Sequence, residues 1–339
     1  MKKSNLILII TSIITLISTG CKKDAIDKYA DVYLAGYKQD ISGKTSAAYW
    51  KNNTIKILDN SAGGSYANSI YVSGNDIYVS GNIDNGSNVK AVYWKNNTPF
   101  ELTGNNSYAD ATDLKVIGND VYVAGYEQVQ PGWKYMAKYW KNGVPFYLGN
   151  PANTSVTKSI FISGSDVYVA GCEGNGAGIN IAKYWKNGVA IDLTNGTNWA
   201  NAYSVFVNNN DVYVAGEEYN NGYRTAKYWK NGIPTVLGAQ NKNSLASAIS
   251  IYGQDVYVSG TEDNAGISTA KYWKNGVAVN LSDGSNSGYC NAIFSFGNDT
   301  YMAGSVYETG TRAAYWKNNK KVIVDTTAYT SEANGIFIK

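Results

Sequence analysis

The sequence predicts an all-β protein in which seven repeats, each of four short antiparallel strands, close into a ring. Three observations predict it. An Asp opens a strand reading D-[VIT]-Y-[VLM]-[AS]-G at Asp31, Asp76, Asp120, Asp166, Asp211, Asp255 and Asp299, with successive copies 45, 44, 46, 45, 44 and 44 residues apart. A second signature, Tyr-Trp-Lys, follows each copy after 16 to 19 residues, at Tyr49, Tyr93, Tyr139, Tyr184, Tyr228, Tyr272 and Tyr315. A fixed period with two markers per period is the mark of a repeat architecture, each repeat being one supersecondary unit. Third, the composition suits short strands and tight turns: five Pro, thirty-five Gly and 13% aromatic residues, with no sustained helical periodicity after residue 20. A chain of 339 residues would ordinarily suggest several domains, but repeats running from residue 31 to 339 favour one closed body.

The N-terminus reads Met1-Lys2-Lys3, then an apolar run from Leu6 to Ile17, then Ser18-Thr19-Gly20-Cys21. A charged start, an apolar stretch too short to span a bilayer comfortably, and small residues before a cleavage point describe an export signal. Ending at Cys, the segment resembles a bacterial lipoprotein signal, with Ser18 where Leu is more usual. That resemblance implies removal of residues 1–20, acylation of Cys21 and a tether over residues 21–30; the alternative is a signal anchor with an incidental Cys. Cys21-Lys22-Lys23-Asp24 also resembles the charged tails that send some lipoproteins to the outer face of the outer membrane. The expected location is therefore the cell envelope, on the outer membrane, with the membrane as a partner through the lipid.

Removing residues 1–20 takes Lys2 and Lys3 from 29 basic residues, leaving 27 against 26 acidic. That balance argues against nucleic acid as a partner. Cys172 and Cys290 fall in the fourth and seventh repeats, too far apart in a ring for a disulfide, whose Cα atoms lie within about 7 Å. Both read as free, buried, small apolar residues.

Within one repeat, residues 202–237, four runs stand out: Ala202 to Val207, Asp211 to Gly216, Thr225 to Lys230 and Ile233 to Leu237. Asn208-Asn209-Asn210 separates the first two runs and Asn231-Gly232 the last two. Asn-Gly between strand-like residues is a strong hairpin signal, because both central positions take positive φ. Each repeat is thus a four-stranded antiparallel meander. Tyr, Trp and Val on both alternating positions imply sheets covered on both faces, as when blades stack around an axis.

Four strands in about 44 residues, with a Gly-ended second strand, resemble the bacterial β-propeller repeats in general layout. The resemblance covers residues 31–339 and implies a seven-bladed β-propeller. It lacks the Trp-Asp and Gly-His marks of WD repeats, and kelch repeats are longer. A parallel β-helix, the competing architecture, has shorter coils and no repeated Asn-Gly hairpins.

The strand count predicts closure. The first repeat begins at Asp31 with no first strand, whereas Ala333-Asn334-Gly335-Ile336-Phe337-Ile338-Lys339 matches Asn68-Ser69-Ile70-Tyr71-Val72 and has no second strand after it. The C-terminal strand should complete the first blade, removing the edges an open array would expose. Tight 1-2 and 3-4 turns then share one face with the tether, and longer 2-3 and 4-1 connections occupy the other. Lys51, Lys95, Lys141, Lys186, Lys230, Lys274 and Lys317 sit beside the tight turns as a ring of positive charge, either resting on anionic head groups or solvated at strand ends.

The chain contains no His, so Ser-His-Asp and Cys-His sites and His metal ligands are excluded. Arg224 and Arg312 are the only arginines, too few for the carboxylate clamp of sialidase propellers. No phosphate loop or calcium loop occurs, and Asp84-Asn85-Gly86 reads as a turn. No cofactor, metal ligand set or catalytic residue is assigned.

Glu127, Glu173, Glu218 and Glu262 recur two residues past the strand-two Gly. Together they suggest an arc able to hold a cation or to do acid-base work. Their blades alone carry Lys before Tyr-Trp, at Lys138, Lys183, Lys227 and Lys271; elsewhere Ala48, Val92 and Ala314 face Lys38, Ile83 and Val306. Glu and Lys appear and vanish together. Pairing Gly216 with Trp229 puts Glu218 opposite Lys227, which favours cross-strand charge pairs.

The strand-two tyrosines and the Tyr-Trp pairs read as blade packing. Trp133, in the longest 2-3 loop (Gln128 to Lys134), and Trp199, in a 4-1 loop (Thr194 to Ala200), do not belong to that set. Tyr66, Tyr108, Tyr219, Tyr223 and Tyr289 occupy equivalent loops among Asn, Ser and Gly residues. Such aromatics suit sugar rings, a protein partner, or simple loop packing. The expected function is a non-catalytic binding lipoprotein for a glycan or an envelope protein. The alternatives are a carbohydrate-active enzyme using Asp or Glu with Tyr or Lys, for which Asp110, Asp113, Glu217 and Glu308 are candidates, and a structural part of an envelope assembly. Asp113 replaces the small residue found at this place of strand one elsewhere: Ser69, Ser159, Ser204, Ala248, Ala292 and Gly335.

Overall fold

The computed structural model describes residues 30–105, 108–129 and 132–339; the Cys21 lipidation site and the leader lie outside the described residues. Twenty-eight strands form seven four-stranded antiparallel sheets, and the described residues contain no helix. Six blades run in chain order from the axis outward: residues 64–101, 109–147, 155–192, 200–236, 244–280 and 288–323. In the first blade the inner strand is Thr330–Ile338, followed by Val32–Gln39, Thr45–Lys51 and Thr54–Ile57. Each inner strand touches the next around the axis, and Thr330–Ile338 touches Gly64–Ser73. The ring is closed.

Closure uses the C-terminal strand as the sequence predicts. Val32 pairs with Ile338 and Leu34 with Ile336, and the Asp31 and Lys339 backbones exchange hydrogen bonds of 2.8 and 3.0 Å. Ile336 and Ile338 are buried, and Phe337 packs its ring on Tyr71 and Phe294 at 4.9 and 5.2 Å.

The core lies between blades. Trp229 packs with Tyr168, Ala170 and Ala182 of the preceding blade and with Ala200, Ala202 and Val205 of its own, so small residues make room for one indole. All seven Tyr-Trp-Lys tryptophans are buried. Ser65, Ser155, Ser244 and Ser331 add polar staples by accepting the amide hydrogens of Ala47, Ala137, Ala226 and Ala313 in the preceding blade at 2.8–3.0 Å.

The 3-4 turns carry positive φ at both central residues, as at Asn231 and Gly232 (50° and 81°), the signature of type I′ hairpins. The 2-3 connections depart from expectation. In the fifth and sixth blades they are also two-residue hairpins, Asn221-Gly222 and Ala265-Gly266, because the strands run on to Asn220 and Asn264. Strand growth likewise reduces the Trp133 connection to residues 130–133, shorter than residues 175–179 in the fourth blade. It is not the longest 2-3 loop.

The two repeat signatures meet in space. The Asp that opens strand two receives the Lys of Tyr-Trp-Lys at 2.6–2.9 Å in all seven blades. The Asn after that Lys donates its amide to the same Asp, as in Asn142 to Asp120 at 2.8 Å. Its amide oxygen accepts the backbone N–H following the Asp at 2.8–3.0 Å in all seven. Each ammonium also lies 5.1–5.3 Å from the strand-two Tyr ring, within cation–π range. The expected ring of positive charge is therefore a ring of ion pairs, with its lysines still partly solvated at the strand ends.

Candidate functional site

Every inner strand carries a β-bulge at the same place. The register slips between Ala67 and Ser69, Ala111 and Asp113, Thr157 and Ser159, Ala202 and Ser204, Ala246 and Ala248, Cys290 and Ala292, and Ala333 and Gly335. The residues left unpaired are Asn68, Thr112, Lys158, Tyr203, Ser247, Asn291 and Asn334. A bulge turns the extra residue out of the ladder and re-aims its side chain. The strand-two Gly of each repeat exists for this bulge: a Cβ there would lie 1.8–2.1 Å from the carbonyl oxygen of the residue two before the bulged one. That Gly was the readable signal, since a lone Gly inside a strand marks a bulge or a close backbone approach.

These seven residues form the first tier of an axial cavity of about 520 Å³. Inner strands run from the 4-1 connections to the 1-2 turns, so the bulge tier lies nearer the loop-bearing end. Next come Ser69, Asp113, Ser159, Ser204, Ala248, Ala292 and Gly335, and below them Tyr71, Lys115, Phe161, Phe206, Ser250, Phe294 and Phe337. Among the last, Phe161 and Phe206 meet at 4.7 Å. The cavity is thus polar toward the loops and mostly aromatic toward the tight turns.

Three neighbouring blades present Asn at the bulge, and each donates to the carbonyl before the next bulge. Asn291 reaches Ala333 at 3.1 Å, Asn334 reaches Ala67 at 3.0 Å and Asn68 reaches Ala111 at 3.0 Å. Asn68 and Asn291 also donate to the Asp110 and Glu332 carboxylates at 2.8 and 2.9 Å, and among the described residues no donor meets the three amide oxygens at the cavity rim. Lys158 is the only charged bulge residue. It is exposed, makes no ion pair among the described residues, and lies 5.9 Å from the Tyr126 ring.

Asp113 is absorbed by structure. Its carboxylate accepts from Ser69 at 2.7 Å, Leu114 N at 2.8 Å, Ile160 N at 2.9 Å, Ser159 at 3.1 Å and Lys115 at 3.0 Å. The other carboxylates considered for acid-base work are also engaged. Asp110 accepts from Asn68 and Asn82 at 2.8 and 2.9 Å; burial raises its pKa against those donors. Glu217 is buried and accepts from Tyr203 Oη at 2.8 Å, while burial and that carboxylate raise the Tyr203 pKa. Glu308 pairs with Lys321 at 3.1 Å.

The Glu arc resolves into pairs: Lys138–Glu127 at 2.6 Å, Lys183–Glu173 at 3.6 Å, Lys271–Glu262 at 2.7 Å, and Lys227–Glu218. The register differs from expectation. Gly216 pairs with Lys227 and Glu218 with Thr225, so the charges meet on the diagonal, over the space left by Gly. Burial works to raise the Glu262 pKa, but the Ala239 amide and Lys271 outweigh it and hold it low.

The seven aromatics named from sequence are all exposed: Trp133 (65%), Trp199, Tyr66, Tyr108, Tyr219, Tyr223 and Tyr289. Only some of them are on loops. Tyr66 and Tyr289 lie on inner strands two residues before bulges, toward the loop-bearing end, and Tyr219 and Tyr223 lie on the two strands of one hairpin in the fifth blade, opposite Arg224 and Asn220. Tyr219 N donates to Trp199 O at 2.7 Å, and Tyr108 Oη donates to Ser87 O at 3.1 Å. No two of the seven are in ring contact; Tyr66 instead meets Tyr37 edge-on at 5.0 Å. Trp133 has φ of 56°, which a bulky residue rarely adopts. Tyr307, which ends the strand Asp299–Tyr307, and Tyr329, which directly precedes Thr330–Ile338, are also exposed at the loop-bearing end and carry no sequence signal beyond the ordinary strand pattern beside them. Cys172 and Cys290 are free and buried, and burial pushes their thiols up to about 11 and about 12.

No family model and no curated protein matches the chain. Among solved structures it is similar to a Mycobacterium tuberculosis puromycin-hydrolyzing peptidase, with TM-score 0.62 and 10% identity over 88% of this chain and 52% of that one. It is also similar to Kuenenia stuttgartiensis hydrazine synthase, with TM-score 0.50 and 9% identity over 91% of this chain and 46% of that one. The chain spans about half the length of these structures. At such identity the likeness concerns the fold alone, and a propeller fits a binding or structural module.

Proposed function

We propose that this chain is a cell-envelope lipoprotein, held at the outer membrane by an acylated Cys21, that binds a glycan without turnover at the loop-bearing end of its ring. The observation that carries this reading is an axial cavity rimmed by amides and hydroxyls, with exposed Tyr66 and Tyr289 two residues before the lining residues Asn68 and Asn291 on their strands, toward the loop-bearing end. Sugars present apolar faces that stack on aromatic rings and hydroxyls that need amide partners. A non-catalytic role is favoured because Asp110, Asp113, Glu217 and Glu308 each have polar partners already.

A protein partner is the second reading, favoured by one observation: Trp133 projects at 65% exposure from a hairpin tip. Trp in that setting is a common interface anchor. Screening residues 22–339 for binding and turnover on envelope and dietary glycans separates the readings. Binding without turnover is expected; turnover would select an enzyme, and silence on every glycan would favour the protein partner.

A further inference from the structure

Two groups at the cavity rim are left over once the hydrogen bonds within the protein are assigned. One is the arc of amide oxygens from Asn291, Asn334 and Asn68, on three consecutive blades, whose nitrogens are fixed on backbone carbonyls. The other is the Lys158 ammonium, three blades around from the centre of that arc, which has no ion-pair partner among the described residues; the Tyr126 ring lies 5.9 Å away, and the buried Asp110 carboxylate acts on it electrostatically without an ion pair. The second lysine of the cavity, Lys115, is already neutralised by Asp113 at 3.0 Å. Asp110, Glu217 and Glu332 are not part of the cavity lining. The cavity therefore offers one positive charge that forms no ion pair among the described residues on one side and three acceptors on the other, above a tier of aromatic rings.

We propose that the axial cavity takes a small polyhydroxylated monoanion, a sugar acid. Its carboxylate would sit on Lys158, its hydroxyls would donate to the Asn oxygens, and its apolar face would meet the aromatic tier. Other ligand classes match less well. A phosphate or sulfate would bring two negative charges against three amide oxygens and the Asp113 carboxylate with a single cation to offset them. A neutral sugar would leave Lys158 unused. A volume of about 520 Å³ falls in the range of small-molecule pockets, about 300–1,000 Å³, and is too small for a folded partner. This inference rests on the binding reading above only for the end from which the ligand enters.

Titration calorimetry on residues 22–339, which retain every residue of the ring, tests it with glucuronate, galacturonate and gluconate beside glucose, galactose and inorganic phosphate. At least one acid binds, and its neutral counterpart binds about ten- to a hundredfold more weakly, the worth of one charge-assisted hydrogen bond. Lys158→Met, at an exposed position and checked for an unchanged melting temperature, removes that difference, and Lys158→Arg keeps it. Trp133→Ala and Trp199→Ala leave acid binding intact, so a failure of loop-face glycan binding is distinguishable from a failure here. The proposal is overturned if no acid binds, if Lys158→Met binds the acid as the parent does, or if phosphate binds more tightly than every acid.

Discussion

The Asp113 carboxylate accepts the amide hydrogen of Ile160 at 2.9 Å, tying the third blade to the fourth across the wall of the cavity. The same link recurs with weaker acceptors: Ser159 takes Val205 N and Ser204 takes Ile249 N, both at 3.3 Å. Asp113 is thus the strongest of a series of inner-strand staples. Asp113→Ala leaves the Ile160 N–H without its acceptor and Lys115 without its counter-charge. Urea unfolding should show a loss of about 2–4 kcal/mol. Asp113→Ser, which copies the neighbouring blades, should cost less than half of that. Equal stability of the alanine variant and the parent would remove the staple from the account.

The Asp-Lys-Asn clasps set the pH range of the fold. The Lys ammonium, then the Asn amide, hold Asp76, Asp120, Asp166, Asp211 and Asp255 below the usual carboxylate range. A depressed carboxyl stabilises the fold above its unfolded pKa of about 3.9 and loses that contribution as pH falls through the folded value. The partner lysines Lys95, Lys141, Lys186, Lys230 and Lys274 are raised, chiefly by those Asp side chains. Their contribution is complete below about 10.4 and is lost as pH rises through the folded value. Melting temperature should therefore be level between about pH 5 and pH 9 and fall on both sides. Added salt should lower the plateau only slightly, because the pairs are exposed.

Lys138 is almost wholly buried, with Glu127 at 2.6 Å and the Tyr147 ring at 4.4 Å. Removing one partner strands a buried charge, so Glu127→Gln should destabilise by about 3–5 kcal/mol. The second blade has Ile83 and Val92 at these places. Copying it, Glu127→Ile with Lys138→Val, should restore stability to within about 1.5 kcal/mol of the parent. Denaturation midpoints of the single and double variants decide the matter; a double variant less stable than the single would show that the charge is needed for more than pairing.

Deleting residues 333–339 removes Ile336 and Ile338, each worth about 1.5–3 kcal/mol when buried, and exposes the edge of Val32–Gln39. The shortened chain should aggregate or be cut rapidly by protease. A truncated chain that melts like the intact one would contradict the closed ring.

The blades were legible because their markers are chemical: Asp, Tyr, Trp and Lys recur where strands begin, pack and end. Closure followed from matching Asn334-Gly335-Ile336 to Asn68-Ser69-Ile70. What was not legible has physical reasons. The bulge residues are Asn, Thr, Lys, Tyr, Ser, Asn and Asn, so position rather than residue type defines the cavity rim, and no side-chain signature marks it. The pairing of Glu218 with Lys227 was right in substance and wrong in register by two residues. A slip of two keeps each side chain on its own face, so a face-counting argument could not detect it. Tyr66 and Tyr289 looked like loop residues because the inner strands begin earlier than their apolar runs.

The central claim is that one end of the ring binds and the other does not, and matched aromatic substitutions test it. Tyr66, Tyr289, Trp133 and Trp199 lie at the loop-bearing end, while Tyr252, more exposed than all of these but Trp133, lies at the tight-turn end beside Gly253. Binding of residues 22–339 to the glycan found in the screen should be measured by surface plasmon resonance for each alanine variant. The account predicts a loss of about tenfold or more for at least one loop-end variant, and no change for Tyr252→Ala. Loss confined to Tyr252→Ala, or parental affinity in all four loop-end variants, would contradict it.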